Sequence, residues 1–206
     1  MASASAIPII NAALTRTGDE PITSFDEGTP QALVASLNYD ELVNAILSGY
    51  PWKFATRTMD LETLAVTVDP PWQFAYQVPA DVLDLRVVES NGCPIDYELM
   101  SDKILTNWPP PVLAKYTYRL EEPFWPKYFR GAVIAALEPI FMRAIGERYD
   151  EAANRDKRAM GLMAVARNRD TQSQTPRQPM DSPILRARGG FWPPSLRGAR
   201  GRMTDR

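Results

Sequence analysis

The feature that most limits the fold is a double switch of apolar period. Apolar residues recur at helical spacing up to residue 48, alternate at strand spacing from 52 to 120, and return to helical spacing from 126. A period near 3.6 buries one stripe of a helix, whereas a period of 2 buries one face of a strand. Helices at both ends of the sequence must meet to bury their stripes, and the strands between them then project as an insertion. The expected fold class is α+β. It comprises a helical bundle formed by N- and C-terminal helices, an inserted antiparallel β subdomain and an extended C-terminal tail. The corresponding segments are 1–51, 52–122, 123–170 and 171–206.

Local signals sharpen these segments. Ile9, Ile10, Ala13 and Leu14 share a face of a helix over 5–17, with Gly18 in the C-cap position. Thr29-Pro30 is an N-cap followed by proline at the first helical position. It opens a helix to about Ser48 whose stripe is Ala35, Tyr39, Leu42 and Ile46, widened by Leu33, Val43 and Leu47. Short runs at 61–68, 72–78, 83–89, 97–100, 104–106 and 113–120 are separated by Pro, Asn-Gly and Ser-Asp turns, which favours an antiparallel sheet. A third helix follows Pro126, and Pro139 inside it should kink it. A fourth runs over 150–169 and leaves Ala152, Ala159, Leu162, Met163 and Val165/Ala166 to pack.

Chemistry is restricted by what the chain lacks. There is no histidine, and Cys93 is the only cysteine. Histidine-based metal sites, Ser-His and Cys-His pairs, and intrachain disulfides are therefore excluded. No catalytic residue, metal ligand or cofactor is assigned. No apolar run approaches the roughly 20 residues of a membrane helix, so no membrane insertion is expected. Residues 1–7 lack the pattern of a secretory signal, and synthesis in the cytoplasm is expected.

The net charge of −2 hides a split. Residues 1–126 carry 7 Lys+Arg against 17 Asp+Glu, a net of −10, and residues 127–206 carry 16 against 8, a net of +8. Such asymmetry suits contacts between neighbouring copies, or acidic and basic faces that pair within one subunit. Residues 171–206 hold 7 Arg against 2 Asp. Two readings of this tail stand beside a plain solvated segment. It is a partner-docking arm, with Ile184, Leu185, Phe191 and Trp192 as anchors and Arg186, Arg188, Arg197 and Arg200 pairing with acidic groups. Alternatively, it binds nucleic acid through the same charge. Prolines flanking the anchors favour the arm, because they lower the cost of ordering an extended course.

Several segments together resemble the tail tubular protein A family, the head-to-tail adaptors of short-tailed (podovirus) bacteriophages. They are Asn11–Leu14 with Gly18, Thr29, Tyr50-Pro51-Trp52-Lys53-Phe54-Ala55-Thr56-Arg57, Pro71-Trp72 and Tyr76-Gln77-Val78-Pro79-Ala80-Asp81-Val82-Leu83. Ile104–Asn107, Tyr116–Leu120 and Trp125–Phe129 follow in the same order. The likeness covers about residues 7–170. It implies a virion protein of the tail or neck, forming a twelve-subunit ring between the portal protein and a tail nozzle of the tail tubular protein B type. Tail fibres are a further candidate partner, and genomic DNA would pass through the central channel. Beyond Ile184–Arg188, which resembles the family's ending, the arginine-rich extension departs from the pattern.

The family-motif residues Trp52, Phe54, Tyr76, Pro79 and Asp81 are read as structural. Aromatics at element junctions usually pack the core, and Asp81 is expected to cap a turn. Two adjacent carboxylate pairs, Asp26-Glu27 and Glu121-Glu122, leave open a virion-associated cell-wall (peptidoglycan) hydrolase, since two carboxylates can cleave a glycosidic bond without histidine. Both pairs flank helix starts, where negative charge complements the dipole. A DNA-binding regulator acting through the fourth helix ranks lower, because Asp156 and Asp170 interrupt its basic residues.

Overall fold

The computed structural model describes residues 4–65, 68 and 70–173, and the chain is α+β. Among the described residues, four helices, α1 (Ile7–Thr17), α2 (Pro30–Ser48), α3 (Lys127–Ala144) and α4 (Tyr149–Gln172), flank eight strands. The strands are β1 (Thr56–Asp60), β2 (Thr63–Leu64), β3 (Phe74–Gln77), β4 (Val82–Ser90), β5 (Cys93–Pro94), β6 (Glu98–Met100), β7 (Lys103–Thr106) and β8 (Leu113–Tyr118).

The helix ends follow the local chemistry. Gly18 closes α1 at φ 81°, in the left-handed region that glycine enters without steric cost, and its N–H meets the Leu14 and Thr15 carbonyls. Thr29 Oγ1 accepts from the Ala32 N–H at 3.2 Å and caps α2. The same hydroxyl donates to Glu27 Oε1 at 2.8 Å. Glu27 Oε2 accepts from the N–H and the hydroxyl of Thr23, each at 2.8 Å. The Thr23 N–H leads these bonds in pulling the Glu27 carboxyl from its ordinary 4.5 down to about 2. A depressed carboxyl stabilises the fold above its unfolded value and loses that contribution as pH falls through its folded value. Thermal melts between pH 5 and 2 should therefore show a steeper acid loss in the wild type than in Glu27→Gln. Equal slopes would contradict this.

The helices share one core. Ile9, Ile10 and Leu14 of α1, Tyr39, Val43 and Leu47 of α2, Phe129, Val133 and Leu137 of α3 and Ala166 of α4 are buried in it. α3 packs against each of the other three helices and runs continuously through Pro139. α4 presents Ala152, Ala159 and Ala166, seven residues apart, and such small side chains let two helix backbones approach closely. Two sequence expectations are corrected. Leu162 and Val165 are 37% and 49% exposed and do not pack the core. Leu33 is 60% exposed while Ala32 is buried, because successive residues turn by about 100° and Leu33 falls outside the stripe centred on Ala35 and Tyr39.

The strands form two antiparallel sheets rather than one, in the orders β1-β8-β4-β5 and β2-β3-β7-β6. β4 turns into β5 through Asn91 and Gly92, both at positive φ (52° and 78°), the conformation tight hairpins favour. Tyr76 and Ile104 of one sheet and Val88, Ala114 and Tyr116 of the other bury in a common cluster. Arg86 on β4 reaches α2, donating to the Ser48 carbonyl at 2.8 Å and to Thr117 Oγ1 at 3.1 Å. A cation on the last carbonyls of a helix complements its dipole.

Candidate interaction surfaces

The family-motif residues lie at the joints of the fold. Trp52, fully buried, follows α2 and precedes β1. Its indole N–H donates to the Ile46 carbonyl at 2.9 Å, and its ring meets Phe129 of α3 edge-on at 4.9 Å. Phe54 is half-buried and lies 4.8 Å from the same Phe129 ring. Tyr76 is fully buried, with its hydroxyl donating to the Trp108 carbonyl at 2.9 Å. The Pro79 carbonyl accepts the Val82 N–H at 3.2 Å, which forms the turn into β4.

Asp81 does something other than cap that turn. Its Oδ2 accepts from Arg57 Nη1 on β1 at 2.9 Å, and its Oδ1 accepts from the Tyr116 hydroxyl on β8 at 2.9 Å. Arg57 in turn lies over the Tyr118 ring, 4.2 Å from its centroid. The turn is thereby tied to the neighbouring strands by charge-assisted bonds.

Among the described residues three buried carboxylates tie elements together, in a role that no sequence pattern indicates. Glu138 of α3, 1% exposed, is shared by Arg16 of α1 (3.1 Å) and Arg155 of α4 (2.8 Å). Asp170 of α4, also 1% exposed, accepts from the Lys53 N–H and from the Tyr128 hydroxyl, each at 2.9 Å. Burial, followed by the adjacent Asp170, raises the Tyr128 hydroxyl well above its ordinary range, so it stays a donor. Glu122 accepts from Ser5 Oγ at 2.6 Å, Arg119 at 2.9 Å and the Tyr39 hydroxyl at 3.3 Å. A buried charge needs partners to persist: Glu122 and Glu138 have arginines, and Asp170 is held by hydrogen bonds from a backbone N–H and a hydroxyl. Apart from Arg119, three residues from Glu122, most of the partners lie far away in the chain, Ser5, Arg16, Tyr39 and Lys53 among them.

The Glu121-Glu122 pair divides: Glu122 is buried among these donors while Glu121 is exposed. Glu27 is held by the loop around it, as described above. Among the described residues no group of three or more Asp, Glu or Cys is arranged to hold a metal, and no helix is long and apolar enough to cross a membrane. Ile184, Leu185, Arg186, Arg188, Phe191, Trp192, Arg197 and Arg200 lie outside the described residues.

Part of the helix surface left uncovered is apolar. A groove of about 370 Å³ runs between α2, α3 and α4, walled by Leu42, Ile46, Ile140, Met160, Met163 and Arg167. Met160 at its rim is 72% exposed. Leu33 and Leu37 stand out on α2 at 60% and 67% exposure. Leu42, Ile46 and Met163, expected to pack, are half-buried against the helical core and also wall the groove. No protein-family model and no curated protein matches the chain.

Proposed function

We propose that this chain is a structural head-to-tail adaptor of a phage virion, not an enzyme. In this reading a ring of twelve copies sits in the tail or neck and joins the portal protein to the tail nozzle. The ring leaves a channel for DNA during packaging, retention and ejection. The helical body is the rigid part, and the tail arm clamps the portal through Ile184, Leu185, Phe191 and Trp192, with Arg186, Arg188, Arg197 and Arg200 on acidic partner groups. The observation that carries the reading is the division of labour in the body. The buried carboxylates Glu122, Glu138 and Asp170 are engaged in holding elements together, whereas α2 and α4 keep large apolar side chains, among them Leu33, Leu37, Met160 and Val165, exposed between polar ones. That is the economy of a scaffold that docks partners, and it agrees with the family likeness carried by the Trp52, Tyr76 and Asp81 segments.

The arm is tested by binding the full chain to portal rings. Replacing Ile184, Leu185, Phe191 and Trp192 together by alanine leaves every charge in place and should weaken binding at least about tenfold, since apolar anchors dominate such contacts. Unchanged portal binding by that variant would overturn the arm. Tail-dependent DNA binding that falls steeply with salt would instead favour a nucleic-acid role for the same residues.

A further inference from the structure

The exposed apolar residues of α2 and α4 form two stripes that one copy cannot bury against itself. On α2, Leu33, Leu37 and Glu41 are exposed and follow each other at i, i+4 and i+8. Nine residues, two and a half turns, separate Leu33 from Leu42 and Leu37 from Ile46, so each pair points to opposite sides of the helix. Leu42 and Ile46 wall the groove towards α4; Leu33 and Leu37 therefore face away from it. On α4, Arg158, Leu162, Val165 and Arg169 are exposed at i, i+4, i+7 and i+11. Met160 and Arg167 wall the groove from this side, and each lies two residues, about 200° of turn, from Leu162 and Val165 respectively. The second stripe also faces away from the groove, on the other flank.

Charge tells the stripes apart. α2 contains Asp40 and Glu41 and no basic residue. The α4 stripe is bounded by an arginine at each end, and neither Arg158 nor Arg169 has an ion pair among the described residues. Two apolar side chains followed by an acid on α2 match two apolar side chains between bases on α4. Leu33 to Glu41 spans about 12 Å and Leu162 to Arg169 about 10 Å at 1.5 Å per residue.

We infer that copies of this chain join head to tail, the Leu33–Leu37–Glu41 stripe of one copy lying on the Arg158–Leu162–Val165–Arg169 stripe of the next. The occupant is a second copy because each stripe supplies what the other lacks, and like stripes facing each other would bring like charges together. A contact between two different patches can repeat from copy to copy and closes a ring when its rotation closes, whereas a contact of one patch with itself stops at a dimer. The inference rests on the ring proposed above and names the faces that close it.

Disulfide trapping tests it in the full chain, with Cys93→Ser removing the exposed native thiol. Leu37→Cys and Val165→Cys are made as separate variants and combined in one chain. Under mild oxidation, alone at high concentration and with portal rings present, a mixture of the two single variants should give crosslinked dimers. Neither single variant should do so alone, and the combined variant should give a ladder. Glu41→Arg should weaken association about fivefold, and Arg158→Glu with Arg169→Glu in the partner should restore it. Dimers of Leu37→Cys alone, or a charge exchange that restores nothing, would overturn the assignment. So would portal-bound rings without crosslinks, and that result would leave the adaptor reading intact. Ladders without portal-bound rings would keep these faces and overturn the adaptor reading. Neither ladders nor rings would overturn both.

Discussion

Trp52→Ala should cost about 4 kcal/mol of stability and lower the melting temperature by roughly 10 °C, the largest loss expected from any single truncation in the body. The side chain is fully buried where α2, α3 and β1 converge. Truncation removes its edge-on contacts with Phe129 and Tyr50, each with ring centroids 4.9 Å apart. It also strands the Ile46 carbonyl, which takes the indole N–H near the end of α2. Truncation loses the transfer free energy of the side chain and leaves a cavity beside Tyr50, Phe54 and Phe129, and the two contributions add. Trp52→Phe keeps most of the ring and loses the hydrogen bond, and should cost about half as much. Urea denaturation of both variants checks this. A Trp52→Ala loss below about 1.5 kcal/mol would show that the joint relaxes.

The second large effect concerns the carboxylate shared by three helices. Replacing both Arg16 and Arg155 by methionine leaves Glu138 buried with no cation and should cost about 3 kcal/mol. The figure sits at the low end for a broken buried pair because the two arginine side chains are 46% and 32% exposed, so water already screens part of the attraction. Replacing all three residues by methionine should recover most of that loss, because no charge is then left in the apolar interior. Denaturation of the double and triple variants separates charge from packing. A triple variant as unstable as the double would mean that the shape of the side chains, rather than the stranded carboxylate, holds α1 and α4 on α3.

Much of the architecture was readable because local chemistry and global fold agree. Gly18, Thr29-Pro30 and Asn91-Gly92 each require one backbone conformation, and the chain adopts it. The double switch of period located the helices and the strand region. What escaped has physical causes. β1 is an edge strand, exposed along most of its length with the pattern of a polar loop, so alternation could not reveal it. Division of the strands into two sheets depends on pairings such as Phe74 with Thr106, over thirty residues apart, which no local window contains. Leu162 and Val165 look like core residues at helical spacing, yet α4 meets α3 through its alanines. Asp170 looked like a charge interrupting a basic helix. Its two buried bonds come from residues 53 and 128, so only the folded chain gives it a role.

The same limit applies to function. The aromatic residues Trp52 and Phe54 and the Pro79–Asp81 segment are structural joints and form no site of their own. The surface available for docking is spread over helix faces whose residues are individually ordinary.

Imaging the purified full chain by negative-stain electron microscopy, alone and mixed with podovirus portal rings, tests the central claim most directly. The adaptor account predicts a second ring stacked coaxially on the portal, with rotational symmetry and an open central channel. Monomers that persist beside unaltered portal rings would contradict it.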